Sequence, residues 1–384
     1  MDSSPLSSLS ALNLHCDRQQ LLAALQAADA VVPSNSTKPI LTNLLLDVLQ
    51  DRLEVVATDS QVGLRAVVAQ VDVRSTGQAV VQARQIVAIL KESSSAAVSL
   101  TLDRRADQSV LTIKLDDGDY QVPAIVGETF PPVSFYPADV PSVTLSGKRF
   151  EEMLRQTAFA MDKDRTSPVL SAMFISIGAG ELVLAATDGK VLCEAVERDP
   201  SFNNDPVQAI IPALTIGHLQ RIGGTTQADK IEIAFAGKLV FVRFNLLSGL
   251  KVDLTSRLVE GTFPSYRGAI AGGAAISVEF SATELASAVR RAALMTNQTS
   301  RGVVLVLEGN QAVLSNLNYT NGSARIPLAC TYSGPLQKLG INSQYFTDVL
   351  RVFRSDRITI ELSRGMVMKE PGASYLIMPI ALPT

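Results

Sequence analysis

Short runs in which apolar and polar residues alternate dominate this chain. Examples are LEVVATD (53–59), VSLTLD (98–103), SVLTIKL (109–115), KIEIAFA (230–236) and LVFVRFNL (239–246). A period of two with many β-branched residues predicts half-buried strands, and Asp-Gly, Gly-Lys or Asp-Arg pairs at their ends predict tight turns. Six other segments carry apolar residues at helical spacing: 17–30, 83–92, 146–161, 212–223, 281–297 and 342–354. Asp17, Ser146 and Ser281 stand where an N-cap belongs, because their side-chain oxygens can accept from free backbone N–H groups. Four residues on from each comes Leu21, Phe150 or Leu285, and the stripe continues through Leu25, Leu154 and Val289. Pro212 suits a first helical turn, where its missing N–H costs nothing.

The pattern repeats. Thr58 and Thr187 of the two Ala-Thr-Asp stretches stand 129 apart, as do Pro39 of KPILTNLLLDV and Pro168 of SPVLSAMFISI. A fainter third copy overlays RGVVLVLEGNQAVL (301–314) on SAMFISIGAGELVL (171–184), with Leu317-Asn318 in place of Thr187-Asp188. A third of 384 residues is 128, so three copies account for the whole chain. Two helices and a set of mostly antiparallel strands per copy predict an α+β domain with its helices on one face of the sheet. The domains expected are 1–139, 140–267 and 268–384, and Thr-Phe-Pro at 129–131 and 262–264 marks the linkers between them.

Composition narrows the function. Hydrophobic residues make up 47% and charged residues 18%, an ordinary globular balance. The net charge of −3 shows no basic excess, so any nucleic-acid contact has to come from local segregation of charge. Cys16, Cys193 and Cys330 are far apart and lack Cys-x-x-Cys spacing, which fits a reduced cytoplasmic protein and offers no zinc site. His15 and His218 are the only histidines. No cofactor is expected. MDSSPLSSLS at the start lacks the basic and apolar regions of a signal peptide, and no stretch reaches the roughly 18 apolar residues of a membrane span.

Asp59 and Asp188 admit two readings, a catalytic carboxylate used twice or a turn used twice. Asp favours the place where a strand stops and turns, because it bonds the local backbone. The third copy also lacks the Asp, which suits a turn better than a general base required in every copy. A hydrolase built on Asp59, Asp188 or His15 with Cys16 lacks a phosphate loop, a nucleophile elbow or a paired acid set at useful spacing. A triplicated ligand-binding or scaffold module stays as the alternative.

KPILTNLLLDV, LVLAATDGKVL, LVEGTFPSYR, INSQYFTDVL and the terminal SYLIMPIAL, in this order and spacing, resemble the β sliding clamps of bacterial DNA polymerase III along essentially the full length. The resemblance implies a non-catalytic processivity factor: a head-to-tail homodimer, six domains in a ring, twelve helices lining the hole and sheets outside. Twelve helices packed about 8–10 Å apart enclose a lumen of roughly 21–28 Å once helix thickness is removed, wide enough for a duplex. The six helical segments sum to +4 per chain and leave −7 for the rest. Candidate phosphate-facing residues are Arg18, Arg84, Lys91, Lys148, Arg149, Arg155, Arg221, Arg290, Arg291, Arg351 and Arg354. For each alone a solvated helix charge is the better reading, and the argument lies in their sum. Such contacts carry no sequence information, and the absence of Trp with 5% aromatics speaks against a single-strand binder built on stacking.

The same resemblance implies a peptide-binding pocket walled by Leu170, Thr187, Gly189, Lys190, Leu192, Pro264, Leu376, Met378, Pro379 and Ile380, with Asn342 and Tyr345 beside it. It implies as partners double-stranded DNA, the polymerase III catalytic subunit, an ATP-driven clamp loader and other proteins carrying a clamp-binding motif. Some family members carry Arg where this chain has Ser167, Val191, Gly268 and Ala381, so the pocket expected here is less basic. Pro383 and Thr384 extend past the usual end. The ring joint is expected at Tyr120 and Val122 on an edge strand of the first domain, against Leu294 and Met295 of the third.

Overall fold

The computed structural model describes residues 12–104, 109–203, 205–271, 273, 276–296, 301–317 and 322–382. Residues 1–10, Asn318, Pro383 and Thr384, all singled out from the sequence, lie outside the described residues. The first copy runs β1 (Asn13–Asp17), α1 (Arg18–Asp29), β2 (Leu44–Val48), β3 (Leu53–Thr58), β4 (Val62–Val68), β5 (Val71–Ser75), β6 (Gly77–Val81), α2 (Ala83–Glu92), β7 (Ala97–Arg104), β8 (Ser109–Leu115) and β9 (Gly118–Ile125). The second runs β10 (Ser142–Ser146), α3 (Gly147–Thr157), β11 (Ala172–Gly178), β12 (Glu181–Thr187), β13 (Val191–Arg198), β14 (Val207–Pro212), α4 (Ala213–Thr226), β15 (Lys230–Ala236), β16 (Leu239–Asn245) and β17 (Lys251–Arg257). After a short α5 (Arg267–Ile270) the third runs β18 (Ile276–Ser281), α6 (Ala282–Ala293), β19 (Gly302–Glu308), β20 (Gln311–Asn316), β21 (Arg325–Ala329), β22 (Gln337–Asn342), α7 (Ser343–Val352), β23 (Arg357–Leu362), β24 (Met366–Glu370) and β25 (Ala373–Ile377).

The helices follow from their caps and stripes. Asp17 accepts the Gln20 N–H at 2.8 Å and Ser281 that of Glu284 at 3.4 Å. Leu21 and Leu25 of α1 and Leu285 and Val289 of α6 are buried, each such burial contributing about 1.5–3 kcal/mol. Three ends differ from the sequence expectation. The segment 146–161 stops being α-helical at Thr157 and finishes as a 3-10 turn, Ala158–Ala160. Helix α7 ends at Val352, which leaves Arg354 off the helix. Pro212 is the last residue of β14, one place before α4 starts. The four residues of α5 were not expected at all, and the anticipated boundary at 267/268 falls inside them.

The chain divides into two compact units, and the division cuts through the central copy. One unit holds the residues up to Glu151 with Leu214–Leu258. Its described strands form a 13-stranded antiparallel sheet ordered β10-β15-β16-β17-β4-β3-β2-β6-β9-β8-β7-β1-β5, with α1 lying over β3 and β4 and against α2. The other holds Glu152–Ala213 with Val259 onward. It contains an eight-stranded sheet, β14-β11-β12-β13-β25-β24-β23-β18, and a four-stranded one, β21-β20-β19-β22, with α6 packed against α7 and against β18 to β21.

Each unit therefore contains one strand ladder that joins two copies. In the first, β17 pairs with β4 from Lys251↔Val67 to Ser256↔Val62. In the second, β25 pairs with β13 from Ala373↔Ala195 to Ile377↔Val191. Val191 follows Val62 at the repeat step of 129, so the two joints are built in the same register.

Candidate functional site

The residues expected to wall a peptide pocket all fall in the second unit, and Lys190, Leu192, Leu376 and Met378 among them meet at the β13·β25 joint. Leu192 and Leu376 sit directly opposite each other in that ladder. They form one apolar cluster with Ile270 of α5 and Val367 of β24, and Tyr266 packs against it. Ile270, Val367 and Tyr266 were not anticipated. Tyr266 and Ile270 stand at helical spacing in SYRGAI, the one sequence signal that could have pointed to them. The Met378 N–H donates to the Lys190 carbonyl at 2.8 Å, extending the joint by one bond. That leaves the Met378 side chain 37% exposed beside buried Leu376, an adaptable apolar group at the rim.

The turn between β12 and β13 is closed from within. Thr187 Oγ1 donates to the Val191 carbonyl at 2.7 Å and accepts the Gly189 N–H at 3.0 Å. Asp188 Oδ1 accepts the N–H groups of Lys190 and Val191, both at 2.8 Å. Gly189 has φ 86°, a left-handed conformation that glycine adopts without strain, and a Cβ there would meet nothing. Lys190 is exposed. Asn342 caps α7 by accepting the Gln344 N–H at 2.9 Å, and Tyr345 in the first turn of that helix donates its hydroxyl to Asp188 Oδ2 at 2.7 Å. Ile380 donates its N–H to the Gly340 carbonyl at 2.9 Å, Pro379 and Pro264 are exposed, and Leu170 is half-buried in the turn before β11. Of Ser167, Val191, Gly268 and Ala381, the positions expected to make the pocket less basic, Val191 is buried in β13 and Gly268 lies exposed in α5.

Electrostatics fix the tyrosines. Burial, reinforced by the hydrogen bond to Asp188, pushes the Tyr345 phenol well above its usual range. Burial and Glu194, which accepts the Tyr266 hydroxyl at 2.8 Å, do the same for Tyr266. Both phenols stay neutral donors at any physiological pH. Cys193, next to Leu192 in β13, is fully buried, and that burial holds it as an inert thiol. Among the described residues no group of three or more His, Cys, Asp or Glu is placed to hold a metal, and no helix is long and apolar enough to cross a membrane.

The basic residues divide into two sets. Arg84, Lys91, Lys148, Arg155 and Arg290 are exposed on their helices. Others are engaged by the protein. Arg18 donates to the carbonyls of Ser95 and, at 2.6 Å, Leu90 near the end of α2. Arg221 donates to the Ala30 carbonyl at 2.8 Å, and Arg291 to that of Ser287 at 3.5 Å. Arg351 lies 3.7 Å from Asp348, and Arg354 pairs with Glu152 at 2.6 Å. Arg149 is half-buried. The tally of mobile positive charge is therefore smaller than the sequence count.

Of the anticipated ring-joint residues, Leu294 and Met295 follow α6 directly and are 78% and 38% exposed, so they do not merely finish a helix inside the core. Tyr120 is 39% exposed, but Val122 is 3% exposed and faces its own core, so only its backbone is on offer. Their strand, β9, is not a simple edge: it lies between β8 and β6, yet pairs with β6 only at Ala124 and Ile125. Its length from Gly118 to Pro123 has β8 alone as a partner in the ladder.

The chain matches three family models in succession: the DNA polymerase III beta subunit N-terminal domain at residues 12–134, the central domain at 144–265 and the C-terminal domain at 271–381. It is 28% identical over 383 residues to the beta sliding clamp of Escherichia coli K12, covering 95% of this chain and 99% of that one. Against the beta sliding clamp of Pseudomonas putida KT2440 it is 26% identical over 371 residues, covering 95% and 98%. Its fold matches the crystal structure of the DNA polymerase III beta subunit from Pseudomonas aeruginosa with a TM-score of 0.86 at 24% identity, over 96% of this chain and 100% of the other. A sliding clamp from Bartonella birtlesii solved bound to griselimycin matches with a TM-score of 0.85 at 26% identity, over 97% and 100%. Three consecutive matches that together span nearly all of the sequence, with the repeated fold to go with them, mean that the chain belongs to the DNA polymerase III beta subunits, the bacterial sliding clamps.

Proposed function

We propose that this chain is a cytoplasmic, non-catalytic processivity factor. Two copies close head to tail into a ring around duplex DNA, and the cleft beside Leu192, Leu376 and Met378 tethers the polymerase catalytic subunit and other motif-bearing proteins. The clamp loader is the ATP-driven partner that opens the ring. The ring carries its three domains per copy as 1–139, 140–267 and 268–384.

One observation carries the reading: the internal joints leave an unmatched strand of each kind at opposite ends of the repeat. Ile125, Val259 and Ile380 each contact the strand at Val80, Ile210 and Gly340, positions that recur at a step of 130. By this correspondence β9 holds in the first copy the place of β17 and β25, while β21 holds in the third the place of β4 and β13. The free length of β9 then pairs with β21 of a second copy, a heterologous contact of the kind that closes rings. Leu294 and Met295 cover it from the end of α6, and Tyr120 meets it from β9.

Encirclement makes strong phosphate contacts unnecessary, which fits a surface where several arginines are already bonded to protein. Retention of the loaded protein on nicked circular and on linear DNA, compared in high salt, tests the reading. Phosphate-driven binding washes off both. A closed ring stays on the circle and slips off the linear form, and equal loss from both would reject it.

A further inference from the structure

The two Ala-Thr-Asp turns are alike in what their first oxygen does and different in what their second reaches. Asp188 Oδ1 closes its turn through Lys190 and Val191, and Asp59 Oδ1 does the same through Gln61 at 2.8 Å and Val62 at 2.7 Å. Asp59 Oδ2 lies 3.7 Å from the Nε2 of His218, a buried residue of α4. Asp188 Oδ2 instead accepts the hydroxyl of half-buried Tyr345 in α7 at 2.7 Å. One carboxylate thus ties the turn at Thr187–Lys190 to the first turn of α7. These are two of the elements that the peptide-cleft reading above puts around the ligand, and the inference rests on that reading.

We propose that Asp188 is a positioning residue for the cleft: by bridging the β12–β13 turn to Tyr345 it fixes the spacing between the two elements and dictates which way the phenol proton points. A phenol has one proton. With that proton directed at Asp188, the Tyr345 oxygen offers a ligand only its lone pairs. The complementary group is an N–H or O–H donor of an extended peptide, and a ligand carboxylate is disfavoured both by those lone pairs and by the charge of Asp188. A pair of elements held apart at a set distance also slows escape of a seated peptide, because the cleft need not reorder around it.

The test uses the full-length protein and a fluorescein-labelled peptide from the C-terminal tail of the polymerase catalytic subunit, with anisotropy for affinity and stopped flow for dissociation. Tyr345→Phe keeps the ring and touches no turn hydrogen bond. Asp188→Asn keeps the oxygen that closes the turn. Tyr345→Phe removes the bond, whereas Asp188→Asn, whose amide N–H donates to the phenol oxygen, reverses it and frees the phenol proton. Each is expected to speed dissociation by about five- to tenfold, the scale of one hydrogen bond, and the double variant no further than either alone. Asp59→Asn, which alters the equivalent turn in the first copy, leaves dissociation unchanged. A merely structural role for Asp188 would lower the melting temperature and leave the dissociation rate of the folded protein where it was.

Wild-type dissociation in both Tyr345→Phe and Asp188→Asn, or additive effects in the double variant, overturns the proposal while the cleft reading stands, provided Met378→Ala weakens binding. If Met378→Ala binds as the wild type does, or the wild type binds no peptide, the cleft reading falls and the proposal with it. Should Asp188→Asn fold poorly, Tyr345→Phe alone decides.

Discussion

Asp162 shows how much a single carboxylate organises in this chain. Its Oδ2 accepts the Thr166 hydroxyl at 2.5 Å and the Thr166 N–H at 2.8 Å, and its Oδ1 the Asp164 N–H at 3.0 Å, closing the loop after α3. The Thr166 hydroxyl first, and the backbone N–H groups after it, outweigh burial and hold the carboxyl below its usual range. A carboxyl depressed on folding stabilises the protein fully above the ordinary carboxylate pKa and loses that contribution as pH falls through the folded value. Thr166→Ala should therefore lower the melting temperature at neutral pH and converge with the wild type as the pH falls through the lowered pKa of the folded carboxyl, as read by thermal melts across pH. The sequence disclosed half of such roles. Asp59 and Asp188 were legible as turn residues because the bonds that make a turn reach only two or three positions along the chain. The Tyr345 contact was not, since 157 residues separate it from Asp188 and no local pattern encodes that distance. The basic residues fared likewise: Arg18, Arg221 and Arg354 count as free charges in a sequence, and only coordinates reveal the carbonyls and the carboxylate that hold them.

At the scale of helices and strands, periodicity was a good guide and termini were a poor one. All six anticipated helices exist, because an apolar stripe and a cap are local signals. Their ends depend on what packs there. Arg354 leaves α7 because its backbone N–H turns to Glu370 at 2.8 Å. The start of α3 gives a sharper case. Gly147 donates its N–H to the Asp229 carbonyl at 2.9 Å, and a Cβ at residue 147 would sit 1.9 Å from the carbonyl oxygen of Ala228. Neighbouring backbone cannot rotate away as a side chain can. Gly147→Ala, harmless by helix propensity, should therefore destabilise the protein by about 1–3 kcal/mol, measured by urea unfolding. A stability equal to or above the wild type would show that the backbone there yields easily. Strand pairing between copies was beyond the reach of the sequence, because β4 and β17 look like any other alternating runs.

For the whole molecule, the repeat was visible in the sequence and its consequence was not. Three copies suggested three bodies, whereas contacts gather the residues into two units that share the central copy. Joints between copies are ladders as regular as those within them, so the compact units do not follow the repeat boundaries. Leu294 and Met295, at 78% and 38% exposure, are the apolar side chains proposed to cover the joint to a second copy. Leu294→Asp combined with Met295→Asp should give monomers in sedimentation velocity without loss of secondary structure, and a persisting dimer would move the joint elsewhere. In a monomer the free edges of β9 and β21 stay unpaired, which also predicts a tendency to associate slowly at high concentration.

The β4·β17 ladder also has a history within each act of synthesis. Arg65 and Asp253 end 2.9 Å apart, yet 188 residues separate them along the chain. At ribosomal speeds of roughly 5–20 residues per second, β4 emerges about ten to forty seconds before the strand that will cover it. For that interval the edge of β4 that β17 will take stands unpaired, a template open to any other strand.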